Sequence, residues 1–469
     1  MHVPHLNNRR DFLRLAGGGF GSLALSAIAA AEAPKAEANP FAPKVPHFKA
    51  KAKSVIFLFM EGGPSHVDLF DPKPELTRQH GKPLPAIFGK VLTPMGTGGN
   101  NLLASKRKFA KHGKAGLDFS DWVPHMATCA DDFAVLRACY ADGLNHVGSV
   151  CQMNTGAVLA GRPSLGSWAL YGLGTVNQNL PGFVVFAEGG PEPLGGARNW
   201  GTGFMPATYQ GTLFRNGPNP ILNLNTPVEV GADRQKAKLE LIGKLNDIHR
   251  RDHPGDTQLD ARQSAYELAF KMQATAPEAV DLSRESEKVK ESYGLNRKET
   301  AEFGLRCLLA RRLVERGVRF VQVYCGAGSQ WDAHSDIEGN HGRLCQRADQ
   351  PTAALIKDLK ARGMLDDTLV IWGGEFGRTP MSEGASGRDH NPYGFTMLMA
   401  GGGVKAGVVH GQTDEFGLYG IENRVHVHDF HATILHLLGF DHEKLTFRHN
   451  GRDERLTDVS GEVVSEIIA

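Results

Sequence analysis

The chain has almost no net charge: 52 lysines and arginines against 51 aspartates and glutamates leave +1. Without a basic excess to neutralise phosphates, nucleic-acid binding has no electrostatic basis. Its six cysteines, Cys129, Cys139, Cys151, Cys307, Cys325 and Cys345, include no Cys-x-x-Cys pair, which removes the common zinc and dithiol-redox motifs. No apolar run reaches the roughly 18 residues of a spanning helix, so no membrane span is expected in the mature protein. No internal repeat occurs either. Hydrophobic residues at 41% and charged residues at 22% are a globular composition and exclude a disordered chain.

Glycine and histidine stand out among the residues that are present. Glycine is 56 of 469 residues, so many tight turns and close backbone approaches are expected. Twenty histidines provide many nitrogens for metal ligation or acid–base work. The N-terminus reads Asn8-Arg9-Arg10-Asp11-Phe12-Leu13-Arg14, then an apolar Gly/Ala-rich run from Leu15 to Ala31. This is similar to a twin-arginine export leader, with small-x-small cleavage sites at Ala29-Ala30-Ala31 and Ala31-Glu32-Ala33. Residues 1–33 are therefore expected to be a signal peptide and 34–50 an Ala/Pro/Lys-rich linker. The mature protein is expected in the periplasm or outside the cell. That compartment permits a bridge among Cys129, Cys139 and Cys151, while Cys307 and Cys325 read as buried thiols.

The folded unit is expected over 51–469. Ser54–Met60 is a continuous apolar run, the pattern of a strand buried on both faces. Helical patterns surround 121–136 and 148–160, and Phe183–Phe186 is a short strand. Residues 231–300, polar and charged, read as a helical insertion. A helix from Lys298 to Glu315, a strand from Val318 to Tyr324, a helix from Ala348 to Arg362, a strand from Thr368 to Trp372 and another from Thr396 to Ala400 follow, then a helix from Asp429 to Leu438. This alternation predicts an α/β fold, a mostly parallel sheet flanked by helices on both faces. In such sheets functional groups gather at the carboxyl ends of strands.

Each strand is followed by chemistry-bearing residues. His66 and Asp68 follow the first. Asp332, His334 and His341 follow Val318–Tyr324. Glu375 and Arg378 follow Thr368–Trp372, and Asp389-His390 lies in the loop beyond. Carboxylates and imidazoles together suit Zn, Mn or Fe, and oxygen-only sets suit Ca. Each cluster also has a plainer reading: solvated acids at Asp332, a helix cap at Asp68, turn chemistry at Asp389-His390, an ion-pair partner at Arg378. The late histidines His426, His428, His431 and His436 are read as structural or surface residues.

These segments resemble the alkaline phosphatase/sulfatase superfamily. Asp366-Asp367-Thr368-Leu369-Val370-Ile371-Trp372-Gly373-Gly374-Glu375-Phe376-Gly377 is similar to the sulfatase segment D-N-T-L-V-I-F-T-S-D-N/H-G. Asp429-Phe430-His431-Ala432-Thr433-Ile434-Leu435 is similar to its late helix. Over roughly 45–445 the chain more closely resembles domain of unknown function 1501, through Gly62-Gly63-Pro64-Ser65-His66-Val67-Asp68, Gly161-Arg162-Pro163-Ser164, Gly374-Glu375-Phe376-Gly377-Arg378 and Gly387-Arg388-Asp389-His390. The resemblance implies an alkaline phosphatase-like fold and a divalent metal (Zn, Mn, Fe or Ca). It implies Asp332 and His334 (or His341) binding metal with His390, Glu375 in the place of an Asp ligand, and Asp68 (or Glu61) as the first-strand carboxylate. Arg378 would face an anionic ester substrate, glycan-derived in one version, with His146, Ser149 or a water attacking. Two departures stand: Phe376 occupies a ligand position, and no Cys/Ser-x-Pro-x-Arg sulfatase signature occurs. The expected function is an exported metal-dependent hydrolase of phosphate or sulfate esters, with a non-catalytic exported binding or assembly protein as the alternative.

Overall fold

A computed structural model describes residues 39–188, 192–215, 232–252 and 257–469. The chain divides into two units, Met1–Ala42 and Pro43–Ala469. The leader expected over 1–33 lies outside the described residues. The second unit carries every element named below. Residues 43–50 contain no helix or strand, and within that stretch the Lys44 N–H donates to Leu173 O at 2.8 Å and the Phe48 N–H to Gly439 O at 3.1 Å.

The strands and helices that position the site are β1 (Ser54–Met60), β2 (Phe133–Tyr140), α1 (His146–Thr155), α2 (Leu165–Leu173), β3 (Phe183–Phe186), β4 (Thr212–Phe214), α3 (Ala232–Asp252), α4 (Thr257–Val280), α5 (Ala301–Glu315), β5 (Phe320–Cys325), α6 (Ile337–Ala361), β6 (Thr368–Gly373), the hairpin β7 (Gly377–Glu383) and β8 (Gly387–Asn391), β9 (Phe395–Ala400), β10 (Val408–His410), β11 (Val425–His426) and α7 (Val427–Leu437). One 9-stranded sheet runs β10-β2-β9-β6-β1-β5-β3-β4, with β11 also on β2. Strand β9 alone is antiparallel to its neighbours; every other pairing in the sheet is parallel. This is the mostly parallel α/β architecture that the alternation of elements predicts.

Central strands of such a sheet must be apolar on both faces, and all seven residues of β1 are buried. Ile56, Leu58 and Met60 join Val321, Val323 and Trp372 in one core with Leu308 of α5 and Leu355 and Ile356 of α6. On the opposite face the Gln322 amide donates to Asn154 Oδ1 of α1 at 2.6 Å, so helices cover both sides. No helix among the described residues is long and apolar enough to cross a membrane. All six cysteines are buried free thiols; the bridge among Cys129, Cys139 and Cys151 does not form.

Two local expectations are corrected. The 121–136 region contains only the short helix Pro124–Ala127 and a 3-10 turn at Ala130–Asp132 before strand β2. Ala134, Leu136, Arg137 and Ala138 are good helix formers, but the segment is buried between β9, β10 and β11, and tertiary pairing overrides propensity. The segment around Asp389-His390, expected as a loop, is the β7–β8 hairpin.

Two histidines far from solvent are structural. His431 of α7 donates from Nε2 to Met153 O at 2.8 Å, which agrees with the structural role expected for the late histidines. His341 of α6 accepts the Ser65 N–H at Nε2, 2.9 Å away. Burial pushes both imidazoles down to about 3. Unfolding therefore takes up protons between pH 3 and the ordinary value of 6.5, and stability present at neutral pH is lost as pH falls through that window. Each histidine contributes a slope of up to about 1 kcal/mol per pH unit. Urea midpoints measured at pH 7 and 4.5 are expected to drop on acidification, and His431→Gln, which retains the donor to Met153, is expected to flatten that drop. An unchanged slope in the variant contradicts the assignment.

Candidate metal centre

The parallel sheet brings four chain segments to one rim. Strand β2 leads, after a short connection, into α1, whose first residue is His146. The loop after β5 carries Asp332 and His334. Strand β6 leads into Gly374-Glu375, and the β7–β8 hairpin crosses the rim with Arg378 and His390 before β9 returns antiparallel. One nitrogen from each of His146, His334 and His390 and an oxygen of Asp332 all lie within 4.8 Å of one another.

The second nitrogen of each ring is occupied. His146 Nδ1 lies 2.6 Å from Glu375 Oε1. His390 Nδ1 lies 2.9 Å from Leu144 O, a carbonyl that can only accept. His334 Nδ1 is held by Glu383 Oε2. With Nδ1 donating in all three, Nε2 is the nitrogen left for a metal, and each Nε2 faces Asp332: His146 at 3.1 Å, His334 at 2.9 Å, His390 at 3.5 Å. His146 Nε2, His390 Nε2 and Asp332 Oδ1 are buried, and none makes an aligned hydrogen bond despite these short distances. Donor atoms that crowd together without pointing at one another suit a shared cation at their centre, and a carboxylate or carbonyl behind each imidazole is the usual orienting shell of a metal-bound histidine. The residues fit a divalent metal.

Burial raises the Asp332 carboxyl, but His146, His334, His390 and Arg378 outweigh it and hold it well below the usual carboxylate range. Burial lowers the His146 imidazolium, but the Asp332 and Glu375 carboxylates beside its two nitrogens outweigh this and raise it to about 9. A metal must therefore displace a proton from His146, so metal affinity rises with pH.

The structure brings together Asp332, His334 and His390, and places His146, expected as a possible attacking group, beside them as a fourth possible donor. Glu375 stands one step behind the donors: its carboxylate is fully buried, accepts the Gly62 N–H at 3.0 and 3.2 Å and orients His146. Asp68 is not at the centre. It is buried against Arg388, at 2.8 Å from Nε, and accepts from Ser65 Oγ at 2.5 Å. Burial raises its carboxyl, and Arg388 leads the contacts that outweigh this and lower it. The alternative first-strand acid, Glu61, accepts the Leu194 N–H at 2.6 Å; burial, then the neighbouring Glu375, push it up to about 8. His341, the alternative to His334, is committed to Ser65. Arg378 is not open to a substrate. It is fully buried, donates from Nε to Gly63 O at 3.0 Å, from Nη1 to Arg388 O at 3.2 Å and from Nη2 to Gly62 O, and lies 2.7 Å from Asp332 Oδ1. Ser149 is buried with Oγ unpartnered and turned to Gly143, where an added Cβ would lie 2.3 Å from that oxygen.

Glycine is required at Gly62. Its φ is +117°, and an added Cβ would lie 2.5 Å from Asp332 N and 2.6 Å from Trp331 N, so only glycine lets the turn after β1 meet the loop that bears Asp332. Phe376, where the superfamily pattern has a ligand, is a wall instead: its ring stacks on His390 at 4.6 Å and meets His146 at 4.9 Å. Glu383 had no signal in the sequence, being one acid on a half-exposed hairpin. Asp389 forms a second group with His334 and Glu383, but its oxygens already accept from Met95 N, Thr97 Oγ1 and His390 N at 3.0, 2.9 and 2.7 Å, and it serves to hold the hairpin.

A family model described as "Protein of unknown function (DUF1501)" matches residues 52–468. No curated protein matches the chain. Among solved structures, it is similar to the PsFucS1 sulfatase from Pseudoalteromonas sp. at 12% identity and TM-score 0.34, over 84% of this chain and 69% of that one. It is similar to the lipoteichoic acid synthase LtaP from Listeria monocytogenes at 9% identity and TM-score 0.35, over 86% and 77%. It is similar to the alkaline phosphatase of the Antarctic bacterium TAB5 at 10% identity and TM-score 0.30, over 75% and 92%.

Removing a carboxylate behind an imidazole costs roughly 10- to 100-fold in metal affinity in comparable centres. Glu383→Gln and Glu375→Gln are expected to lose that much, measured by competition with a chelator at pH 7.5. Asp68→Asn is expected to lower the melting temperature and leave affinity within about threefold, because it contacts none of the donors. A Glu383→Gln protein with unchanged affinity contradicts the role given to that residue.

Proposed function

The chain belongs to the DUF1501 family, and on the geometry of its rim we propose that it is an exported, metal-dependent hydrolase of phosphate or sulfate esters. One observation carries the reading: three imidazoles, each with Nδ1 engaged, turn their Nε2 atoms on a single carboxylate. Three nitrogens and one carboxylate favour Zn, Mn or Fe over Ca, which prefers an all-oxygen shell. A divalent ion in this position polarises an ester and offsets the charge of its anionic transition state.

The protein's own residues have definite parts. His146, His334, His390 and Asp332 are the donors. Glu375, Glu383 and the Leu144 carbonyl keep the Nδ1 protons and fix the ring orientations. Phe376 lies against two of the rings and excludes water from that side. Arg378 reduces the negative charge of Asp332 while locking the Gly62-Gly63 turn. The leader at Asn8–Arg14 supports export by the twin-arginine route to the periplasm or beyond, with cleavage before the folded unit.

A second reading rests on a specific observation. Two of the groups expected to act on the substrate are turned elsewhere: Arg378 is bonded to the 62–63 turn, and the buried Ser149 hydroxyl lies against Gly143. A protein that holds a metal but has no hydroxyl nucleophile beside it fits an exported binding or assembly component that does not turn over esters.

Metal analysis followed by activity assays separates the two. The purified protein is expected to contain stoichiometric Zn, Mn or Fe, lost in Asp332→Ala and His390→Ala. The loaded protein is expected to hydrolyse aryl phosphates or aryl sulfates at least 100-fold faster than either variant, and phosphorylated or sulfated glycans extend the panel. Metal without turnover favours the binding reading. No metal in the wild type, with added ions failing to bind, removes both.

A further inference from the structure

Helix α3 (Ala232–Asp252) carries two apolar stripes where a surface helix normally has one. At about 100° per residue, Leu239, Ile242 and Asn246 share a half-buried face, and α3 packs against α4. Helix α4 is anchored in turn by Met272, Ala276 and Ala279, all buried in the main core. The second stripe is Leu241, Leu245 and Ile248, within about 60° of one another and about 120° from the first stripe. These three side chains are 57%, 55% and 54% exposed. Isolated exposed leucines are ordinary, whereas a stripe repeating at i, i+4 and i+7 is the pattern of a helix–helix seam.

The charges beside the stripe identify what fits it. One flank carries Glu240, Lys244, Asp247 and Arg251, all exposed. Read in order the signs are minus, plus, minus, plus, so the same flank read backwards is its own complement. Two copies packed antiparallel about a two-fold axis near Leu245 bring like flanks together. Glu240 then faces Arg251, Lys244 faces Asp247, Leu241 faces Ile248, and Leu245 meets its own copy. Such a contact is isologous and closed, which limits the assembly to a dimer.

We propose that the outer stripe of α3 is the self-association surface of this protein and that its occupant is α3 of a second copy, antiparallel. The arrangement is independent of the ester-hydrolase reading, since α3 and the metal centre use different residues.

Sedimentation velocity of the full purified chain at tens of micromolar is expected to give twice the monomer mass. Leu245→Glu is expected to weaken association by roughly 100-fold or more, since it buries two opposed unpaired carboxylates, with no change in far-UV circular dichroism. Glu240→Arg and Arg251→Glu are each expected to weaken it, and the double variant to restore it. Because the six native cysteines are buried, Leu245→Cys is expected to form a reducible cross-linked dimer under mild oxidation. A monomeric wild type overturns the proposal, as does a dimer indifferent to Leu245→Glu, or one in which Leu245→Cys does not cross-link.

Discussion

Each imidazole at the rim has one nitrogen already bonded, and the rest of the site follows from that constraint. A free histidine presents either nitrogen, and a cluster of free histidines and an aspartate would relax into an ordinary network of hydrogen bonds. Here Glu375, Glu383 and the Leu144 carbonyl take Nδ1, so all three rings commit the same atom to the centre. The anion that faces them, Asp332, is kept charged by its neighbours, and Arg378 alone among those neighbours is permanently cationic. The arrangement is costly to bury without a cation and well satisfied with one.

The fold supplies this constraint through the turn that follows β1. Gly62 has its N–H on Glu375 and its carbonyl on Arg378, and the absence of a side chain lets it touch the backbone of Asp332. One short turn thereby ties together the ends of β1, β5 and β6, three adjacent parallel strands. The β7–β8 hairpin closes the rim from above, fastened by the Arg388–Asp68 pair beneath it and by Asp389 on the 95–97 segment. Glu61 and Glu375, both fully buried, meet behind the turn, where Glu61 is held up at about 8 and is therefore neutral at pH 7.

The dispersed donors were legible where they follow strands. Asp332, His334 and His390 are found by asking what lies beyond each apolar run, because a parallel sheet sends all those positions to one edge. Residues whose role depends on a partner were not legible. Asp68 and Glu375 are both buried acids at strand ends, and nothing in their local sequence tells that one meets an arginine and the other an imidazole. Arg378 has the composition of an anion holder but is used up on backbone carbonyls. His146 is legible as a helix-start residue but not as a neighbour of Asp332, since only the sheet order brings β2 across β9 to the same rim. Strand β2 itself reads as helix because its alanines, leucine and arginine favour helix, and pairing on both edges decides otherwise.

X-ray absorption at the edge of the bound metal tests the central claim most directly, because it counts imidazoles without reference to turnover. The arrangement predicts three imidazole shells and one carboxylate oxygen in the first coordination sphere, falling to two imidazoles in His146→Ala. An all-oxygen sphere without imidazole scattering, or a spectrum unaffected by His146→Ala, would contradict it.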